Sequence, residues 1–197
     1  RHYTLSISDA IDKLTTHYSS KQTSKNIIRS SNQHSQKDLG NEIHDALATL
    51  AHQKILPSNS GLYIDNYKLH STSITHIKKT INMSFWEKLC HSEMVEVETP
   101  FTIHLPKLSI SGRIDLIFNY QDTLYIIDYK TNPKSNKISE SHYIQLCLYY
   151  YAMRLKYPNH DIECGIIYTE TSYYRHLDIS LQDSNTLLEK LSEALKD

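Results

Sequence analysis

The sequence predicts an α/β domain in which helices flank a mixed central sheet. Helix-like periodicity comes first, three strand-like segments follow between Glu93 and Thr131, and a long apolar segment then precedes two more strand-like segments and a last helix. Strands interrupted by a helix form parallel as well as antiparallel pairs, so the sheet should be mixed. At 197 residues the chain is long enough to bury a sizeable core.

Three helices are predicted in the first part of the chain. The first lies in LSISDAIDKLTTHY, with Ser8 as its N-cap, and a polar segment from Ser19 to Lys37 is expected to be a loop. The second lies in LGNEIHDALATLAHQKIL and ends at LPSNSG, and a third is expected from about Ile74 to Cys90. We therefore divide the chain into a helical lead-in with a polar loop, residues 1–37, and a main domain, residues 38–197.

Two segments, MVEVETPF and LSISGRIDLIFNY, alternate apolar and polar residues as strands with one buried face do. In the first, Val95 and Val97 alternate with Glu96 and Glu98. In the second, the expected apolar face contains Ile110, Ile114 and Leu116, and the expected polar face contains Ser111, Arg113 and Asp115.

The third strand-like segment, TLYIIDYKT, ends in an acid and an amine. Residues two apart in a strand point to the same face, so Asp128 and Lys130 should be neighbours that follow Leu124 and Ile126. The turn NYQD joins this segment to the previous strand as a hairpin. The hairpin can bring Asp115 opposite or diagonal to Asp128.

The last part of the chain supplies the other layers of the fold. The nearly all-apolar stretch from Tyr143 to Leu155 predicts a helix that is buried on more than one side. The segments IECGIIYTE and YYRHLDIS predict two paired strands. Asp183 or Ser184 is expected to cap a final amphipathic helix.

The two aspartates and the lysine suggest a chemistry. Two carboxylates in a dry core are costly unless a cation compensates them, and hard oxygen ligands favour Mg²⁺ or Mn²⁺. Lys130 would then lie near the attacking water or near the charge that develops on a phosphate, an arrangement suited to phosphodiester hydrolysis. An Asp-x-Lys strand end alone is more often a surface ion pair, so the hypothesis depends on the surrounding pattern.

Composition restricts the class of protein. The formal net charge of −1 gives no general attraction to nucleic acid, so a local patch or a metal would have to hold one. The three cysteines include no C-x-x-C pair, which argues against a disulfide framework and an iron–sulfur cluster. No apolar run could span a membrane, and we expect no membrane partner and a cytoplasmic location. No P-loop sequence is present.

Three segments in order, SGRIDLI, LYIIDYKTN and YIQLCLYYYA, resemble the RecB/AddA-type branch of the PD-(D/E)XK nucleases. The acidic residues of that branch fall on Asp115 and Asp128, its lysine on Lys130, and its Q-x-x-x-Y helix on Gln145 and Tyr149. The resemblance extends over roughly residues 40–169. It implies that Gln145 and Tyr149 support Lys130 or contact the DNA backbone, although a buried Tyr bonded to a Gln explains the pair equally well.

Two further matches lie upstream. The branch's G-x-x-x-H helix matches GNEIH, which implies that His44 is a metal ligand rather than an ordinary histidine at the margin of the core. An E-x-P-F strand matches at Glu98, which would be a supporting acid. The family also implies that the main-chain carbonyl of Tyr129 is a ligand. The expected metal site therefore comprises His44, Asp115, Asp128 and Tyr129.

The resemblance implies a restriction-endonuclease-like fold and an Mg²⁺- or Mn²⁺-dependent exonuclease. Such an enzyme acts on single-stranded or unwound DNA ends in double-strand-end processing and recombinational repair, with a helicase on the same polypeptide or as a partner. The opening YTLSISDAIDKL and the initial Arg1 suggest the C-terminal domain of a UvrD/Rep-type helicase-nuclease. Alternatives are a free-standing nuclease, a catalytically silent DNA-binding or interaction module, and a restriction-type endonuclease.

Overall fold

A computed structural model describes residues 2–19, 33–132 and 137–196. A single turn of 3₁₀ helix, Pro57–Asn59, precedes the third α-helix. The helices are α1 (Ile7–Ser19), α2 (Gln33–His52), α3 (Ser60–Asn66), α4 (Ser71–Ile81), α5 (Ser84–Cys90), α6 (Glu140–Lys156) and α7 (Leu181–Ala194). The strands are β1 (Tyr3–Ser6), β2 (Met94–Leu105), β3 (Leu108–Tyr120), β4 (Thr123–Lys130), β5 (Asp161–Tyr168) and β6 (Tyr173–Leu177).

The strands form one sheet, and the prediction of a mixed sheet between helices is confirmed. β1 and β3 are parallel, as are β4 and β5, whereas β2–β3, β3–β4 and β5–β6 are antiparallel. A strand has two edges, and β2 occupies one edge of β3 along nearly its whole length. β1 and β4 therefore share the other edge, where β1 pairs with residues 108–111 and β4 with residues 116–120. Residues 112–115 lie between them.

Helices cover both faces of the sheet, which creates two hydrophobic cores. The first core lies against α1, α6 and α7 and includes Leu14, Tyr149 and Leu191. The second core lies against α2, α3, α4 and α5 and includes Leu47 and Trp86. This arrangement buries an apolar stripe from each helix and both faces of the central strands.

The buried residues of β2 and β3 change sides along these strands. Val97 and Leu116 pack against the second core, whereas Phe101 and Ile114 pack in the first core. The expectation that Leu116 shares one face with Ile110 and Ile114 is therefore wrong. The change occurs where Glu98 adopts a φ of 48°, which breaks the regular alternation of the strand.

Several local predictions differ from the structure at the N-terminus. Residues 3–6 form a strand beside β3, which the sequence pattern did not reveal. The N-cap of α1 is Ser6 rather than Ser8, because Ser6 Oγ accepts a hydrogen bond from the Asp9 main-chain N–H at 3.1 Å, and the Asp9 carboxylate accepts one from the Ser6 N–H at 3.3 Å. Most of the predicted loop from Ser19 to Lys37 lies outside the described residues, but Gln33–Lys37 are helical, so that end of the loop was wrong.

Other boundaries also differ. The predicted helix from Ile74 to Cys90 is two helices, α4 and α5, separated at Asn82 and Met83. The last helix is capped by Ser180, with Asp183 completing a capping box, rather than by Asp183 or Ser184. Ala10 and Leu14 of the lead-in belong to the first core, and the boundary at residue 38 remains a prediction. No helix within the described ranges is long and apolar enough to cross a membrane.

Candidate active site

Asp115 lies at the interruption in the edge of β3. The ladder between β3 and β4 ends at the pair Leu116–Ile127, and Asp115 immediately precedes Leu116 in β3. Two residues beyond Ile127, the Tyr129 main-chain N–H donates to Asp115 Oδ2 at 2.8 Å. A side-chain carboxylate therefore replaces the strand as the acceptor, which fixes Asp115 against the end of β4.

Asp128 and Lys130 are neighbours on β4, as predicted. Lys130 Nζ lies 2.7 Å from Asp128 Oδ2, and Asp128 is only 1% exposed. Among the described residues, the other carboxylate oxygen of Asp128, Oδ1, has no hydrogen-bond donor. Burial disfavours the charge on Lys130, but the carboxylate beside it outweighs burial and raises the lysine pKa.

His44 approaches Asp115 from α2. Its Nδ1 lies 3.5 Å from Asp115 Oδ2, and its ring contacts the Tyr129 ring edge to face at 5.8 Å between centroids. The main chain of Tyr129 is within hydrogen-bonding reach of the same imidazole. Burial lowers the pKa of His44, so the ring is held neutral, the form in which histidine binds metals.

Glu98 completes this group from β2. Ligand atoms of His44, Glu98 and Asp115 all lie within 4.8 Å of one another. Glu98 Oε2 is also 3.6 Å from an Arg113 guanidinium nitrogen, in a largely exposed contact. The left-handed φ of Glu98 is costly for a residue with a side chain, and such strain concentrates at functional sites.

The site has an excess of buried negative charge. Burial raises the pKa of Asp115 well above its ordinary value, and the nearby Asp128 carboxylate raises it further. The carboxylates of Glu98 and Asp115 and the neutral His44 imidazole form a donor set that suits a divalent cation. Beside them, the buried Asp128 Oδ1 has no hydrogen-bond donor among the described residues. The residues present therefore fit a metal such as Mg²⁺ or Mn²⁺.

A hydrogen-bonded chain connects Lys130 to helix α6 and strand β3. Lys130 Nζ donates to Gln145 Oε1 at 3.3 Å, Gln145 Nε2 donates to the Tyr149 hydroxyl at 2.7 Å, and that hydroxyl donates to the Arg113 carbonyl at 2.7 Å. Tyr149 is 1% exposed. Its hydroxyl is therefore committed to the protein, and the geometry favours a supporting role over contact with DNA.

The structure thus brings the predicted site residues together in two adjoining groups. The first group contains His44, Glu98, Asp115 and the Tyr129 main chain. The second group contains Asp128, Lys130, Gln145 and Tyr149. The sequence pattern did not single out the main-chain carbonyl of Arg113, which anchors Tyr149. Only its position beside Gly112 in SGRID could have drawn attention to it.

Gly112 allows the strands to pack closely above the site. A Cβ added there would lie 2.9 Å from the Phe101 ring and 3.0 Å from Ile7. The space is filled by side chains of β2 and α1, and Phe101 in turn contacts the Tyr149 ring edge to face at 5.6 Å. Gly112 therefore serves the packing that holds Tyr149 in place.

An α/β/α domain whose central strands present two acids and a lysine at an interrupted strand edge has the restriction-endonuclease-like fold. The chain belongs to the PD-(D/E)XK nuclease superfamily, whose family model matches residues 17–197.

Two solved structures are similar to the chain. One is a candidate exonuclease from Eubacterium rectale, with a TM-score of 0.55 and 10% sequence identity over 97% of this chain and 78% of that chain. The other is the protein SSO0001, with a TM-score of 0.40 and 16% identity over 95% of this chain and 83% of that chain. At these identities the first likeness concerns the fold alone. No curated protein is significantly similar in sequence.

Proposed function

We propose that the protein is an Mg²⁺- or Mn²⁺-dependent deoxyribonuclease that hydrolyses phosphodiesters from DNA ends. The observation that carries this proposal is the convergence of Asp115, Asp128 and Lys130 at the interruption between β3 and β4. Membership of the nuclease superfamily supports the reaction class. The substrate would be single-stranded or unwound DNA in an intracellular setting.

We assign the metal to His44, Asp115, Asp128 and the Tyr129 carbonyl, with Glu98 as a supporting acid. When bound there, a divalent cation would polarise the phosphate and lower the pKa of water. The left-handed backbone of Glu98 turns its carboxylate toward His44 and Asp115, which accounts for a conformation that a glutamate otherwise avoids.

Lys130 would stabilise the negative charge that develops on the phosphate or orient the attacking water. Its raised pKa keeps the amine protonated at neutral pH, which suits electrostatic stabilisation rather than proton abstraction. Asp128 and Gln145 contact the ammonium, so its direction is fixed before substrate binds. We assign Gln145 and Tyr149 to this support.

The wider role that we propose is processing of DNA double-strand ends in recombinational repair, with a helicase on the same polypeptide or as a partner. This part of the proposal rests on the resemblance of the motifs around Asp115, Asp128 and Gln145 to the RecB/AddA-type branch. In this proposal the helicase captures the DNA and this domain cleaves it. That division suits a domain with a net charge of −1, because such a domain gains little from general electrostatic attraction to DNA.

The test is cleavage of end-labelled single-stranded, duplex and covalently closed circular DNA with Mg²⁺, Mn²⁺ or EDTA. We expect metal-dependent shortening of linear DNA, its loss in Asp128→Asn and Lys130→Met, and normal activity in the surface control Lys88→Met. Cutting of closed circles would identify an endonuclease instead. DNA binding without cleavage by the wild type under any metal would favour a silent binding module.

A further inference from the structure

An exposed tyrosine lies in the same row of the sheet as Lys130. Lys130 of β4 pairs with Tyr168 of β5, and Tyr168 pairs with Tyr173 of β6. Neighbouring strands are about 5 Å apart, so the backbone of Tyr173 is about 10 Å from that of Lys130. This distance places Tyr173 beside the proposed reaction centre, within reach of a nucleotide next to the cleaved bond.

Tyr173 also shares a face with Lys130. Ile126 of β4, Tyr168 of β5 and Leu177 of β6 all pack in the first core. Lys130 follows Ile126 by four residues, and Tyr173 precedes Leu177 by four, so the alternation of side chains places both on that same face. The row therefore runs from an ammonium group to an aromatic ring along one side of the sheet.

The ring of Tyr173 lies beside a buried tyrosine ring on the neighbouring strand, yet it is half exposed to solvent. It lies nearly parallel to the Tyr168 ring, with 14° between the planes and 6.4 Å between the centroids. Tyr168 is 3% exposed whereas Tyr173 is 50% exposed. The Arg175 guanidinium lies 5.6 Å from the Tyr173 centroid. An exposed aromatic ring beside a guanidinium is the combination on which unpaired bases stack.

The turn between β5 and β6 ties this ring to the end of β4. The Thr169 N–H donates to the Lys130 carbonyl at 2.9 Å, and the Glu170 N–H donates to the Thr131 carbonyl at 3.1 Å. The buried His76 ring is hydrogen-bonded to Thr169 Oγ1 at 2.9 Å. The position of Tyr173 relative to Lys130 is therefore set by ordered backbone contacts rather than by a free loop.

We propose that Tyr173, assisted by Arg175, is a stacking platform for one unpaired base adjacent to the scissile phosphate. The inference rests on the proposed function and specifies its substrate, a single strand. In a duplex each base is already stacked and paired, whereas a single strand can turn a base onto the ring at little cost. The platform is indifferent to sequence, because every base presents a π face.

The test measures binding rather than cleavage. Fluorescence anisotropy in EDTA at fixed salt compares a labelled oligothymidine with an abasic oligomer of equal length. We expect Tyr173→Leu to weaken binding of oligothymidine about tenfold or more, the loss typical of a stacked base. Binding of the abasic oligomer should not change, because it has no base to stack. Tyr173→Phe should bind both as the wild type does.

Tyr67→Leu is the matched control, because Tyr67 is 49% exposed and stacks on Tyr63 at 4.6 Å between centroids, beside the second core. The platform would be overturned if Tyr173→Leu binds oligothymidine as tightly as the wild type does. It would also be overturned if the substitution weakens binding of the abasic oligomer by the same factor. If the wild type nevertheless cleaves DNA, the proposed function survives that result. If binding depends on Tyr173 but the wild type does not cleave DNA, the result would support the platform and contradict the proposed nuclease activity. Absence of both binding and cleavage in the wild type would overturn both.

Discussion

Asp115 Oδ2 accepts a hydrogen bond from the Tyr129 main-chain N–H at 2.8 Å, one position beyond the last backbone pair between β3 and β4. The carboxylate thus occupies the place of a strand carbonyl, and the two strands separate immediately beyond it. Asp128 and Lys130 lie in the part of β4 that no longer pairs with β3. The hydrogen bond from Tyr129 also partly offsets the cost of burying the Asp115 carboxylate.

Removal of the lysine should destabilise the fold when no metal is present. Lys130→Met leaves Asp128 buried without its counter-charge, and breaking such a pair costs about 3 kcal/mol. Urea denaturation in EDTA should show this loss. Lys88→Met, which removes an exposed lysine, should not change the midpoint, and an unchanged midpoint in Lys130→Met would contradict the ion pair.

Tyr149→Phe should affect turnover more than DNA binding. The change removes the hydroxyl that connects Gln145 to the Arg113 carbonyl, so Lys130 loses its indirect anchor while the apolar packing of the ring is kept. We expect kcat to fall about tenfold or more, as a misplaced catalytic group produces, with little change in the Kd for single-stranded DNA measured in EDTA. A large increase in Kd would instead indicate direct contact with DNA.

Glu98→Gly should stabilise the protein and weaken metal binding. Glycine adopts a positive φ without strain, and relief of the strain at this position should raise the free energy of unfolding by on the order of 1 kcal/mol. Loss of the carboxylate should lower the affinity for Mn²⁺. Glu98→Gln keeps the strained backbone and should lose affinity without gaining stability, so equal stability of the two variants would contradict strain.

His44→Ala should lower the affinity for Mn²⁺ more than the affinity for Mg²⁺. Imidazole nitrogen is a better ligand for transition metals than for Mg²⁺, which prefers oxygen. Electron paramagnetic resonance of free Mn²⁺ gives the first affinity, and competition with Mg²⁺ gives the second. His52→Ala, on the same helix but outside the cluster, is the control. Equal losses for both ions would argue against direct ligation.

His76 should contribute a loss of stability in acid. Burial lowers the pKa of His76 below its ordinary 6.5, so the unfolded chain binds the proton more readily than the folded protein does. Stability is then complete above pH 6.5 and decreases as the pH falls through that value toward the lower folded pKa. His76→Gln should flatten this part of the stability curve, measured by urea denaturation from pH 7.5 to pH 5. An unchanged slope would exclude His76 as its source.

Local geometry made part of the site predictable from sequence. Asp128 and Lys130 are neighbours because side chains two apart on any strand share a face, and Gln145 and Tyr149 are neighbours because residues four apart share a helix face. The hairpin between β3 and β4 likewise follows from a short turn between two alternating segments.

Features that depend on contacts between distant segments could not be predicted from the sequence. Residues 3–6 are too few for their pattern to predict a strand, and they form one because they pair with β3. Leu116 and Ile114 belong to different cores, and the β2–β3 register skips Asp115 between them together with the left-handed Glu98, a conformation that a glutamate does not signal in sequence.

The sequence by itself therefore determined the α/β class, the mixed sheet and the pairs of residues that share one strand or one helix. These follow from periodicities of the backbone that any segment of that composition adopts. Only the tertiary structure decided that His44 contacts Asp115 and that Tyr173 lies in the same row of the sheet as Lys130. It alone also decided that the buried residues of β2 change from one core to the other at Glu98. Those relationships depend on strand order and on packing between segments that are distant in sequence. Local sequence is compatible with many such arrangements, and only the formation of the cores selects one of them.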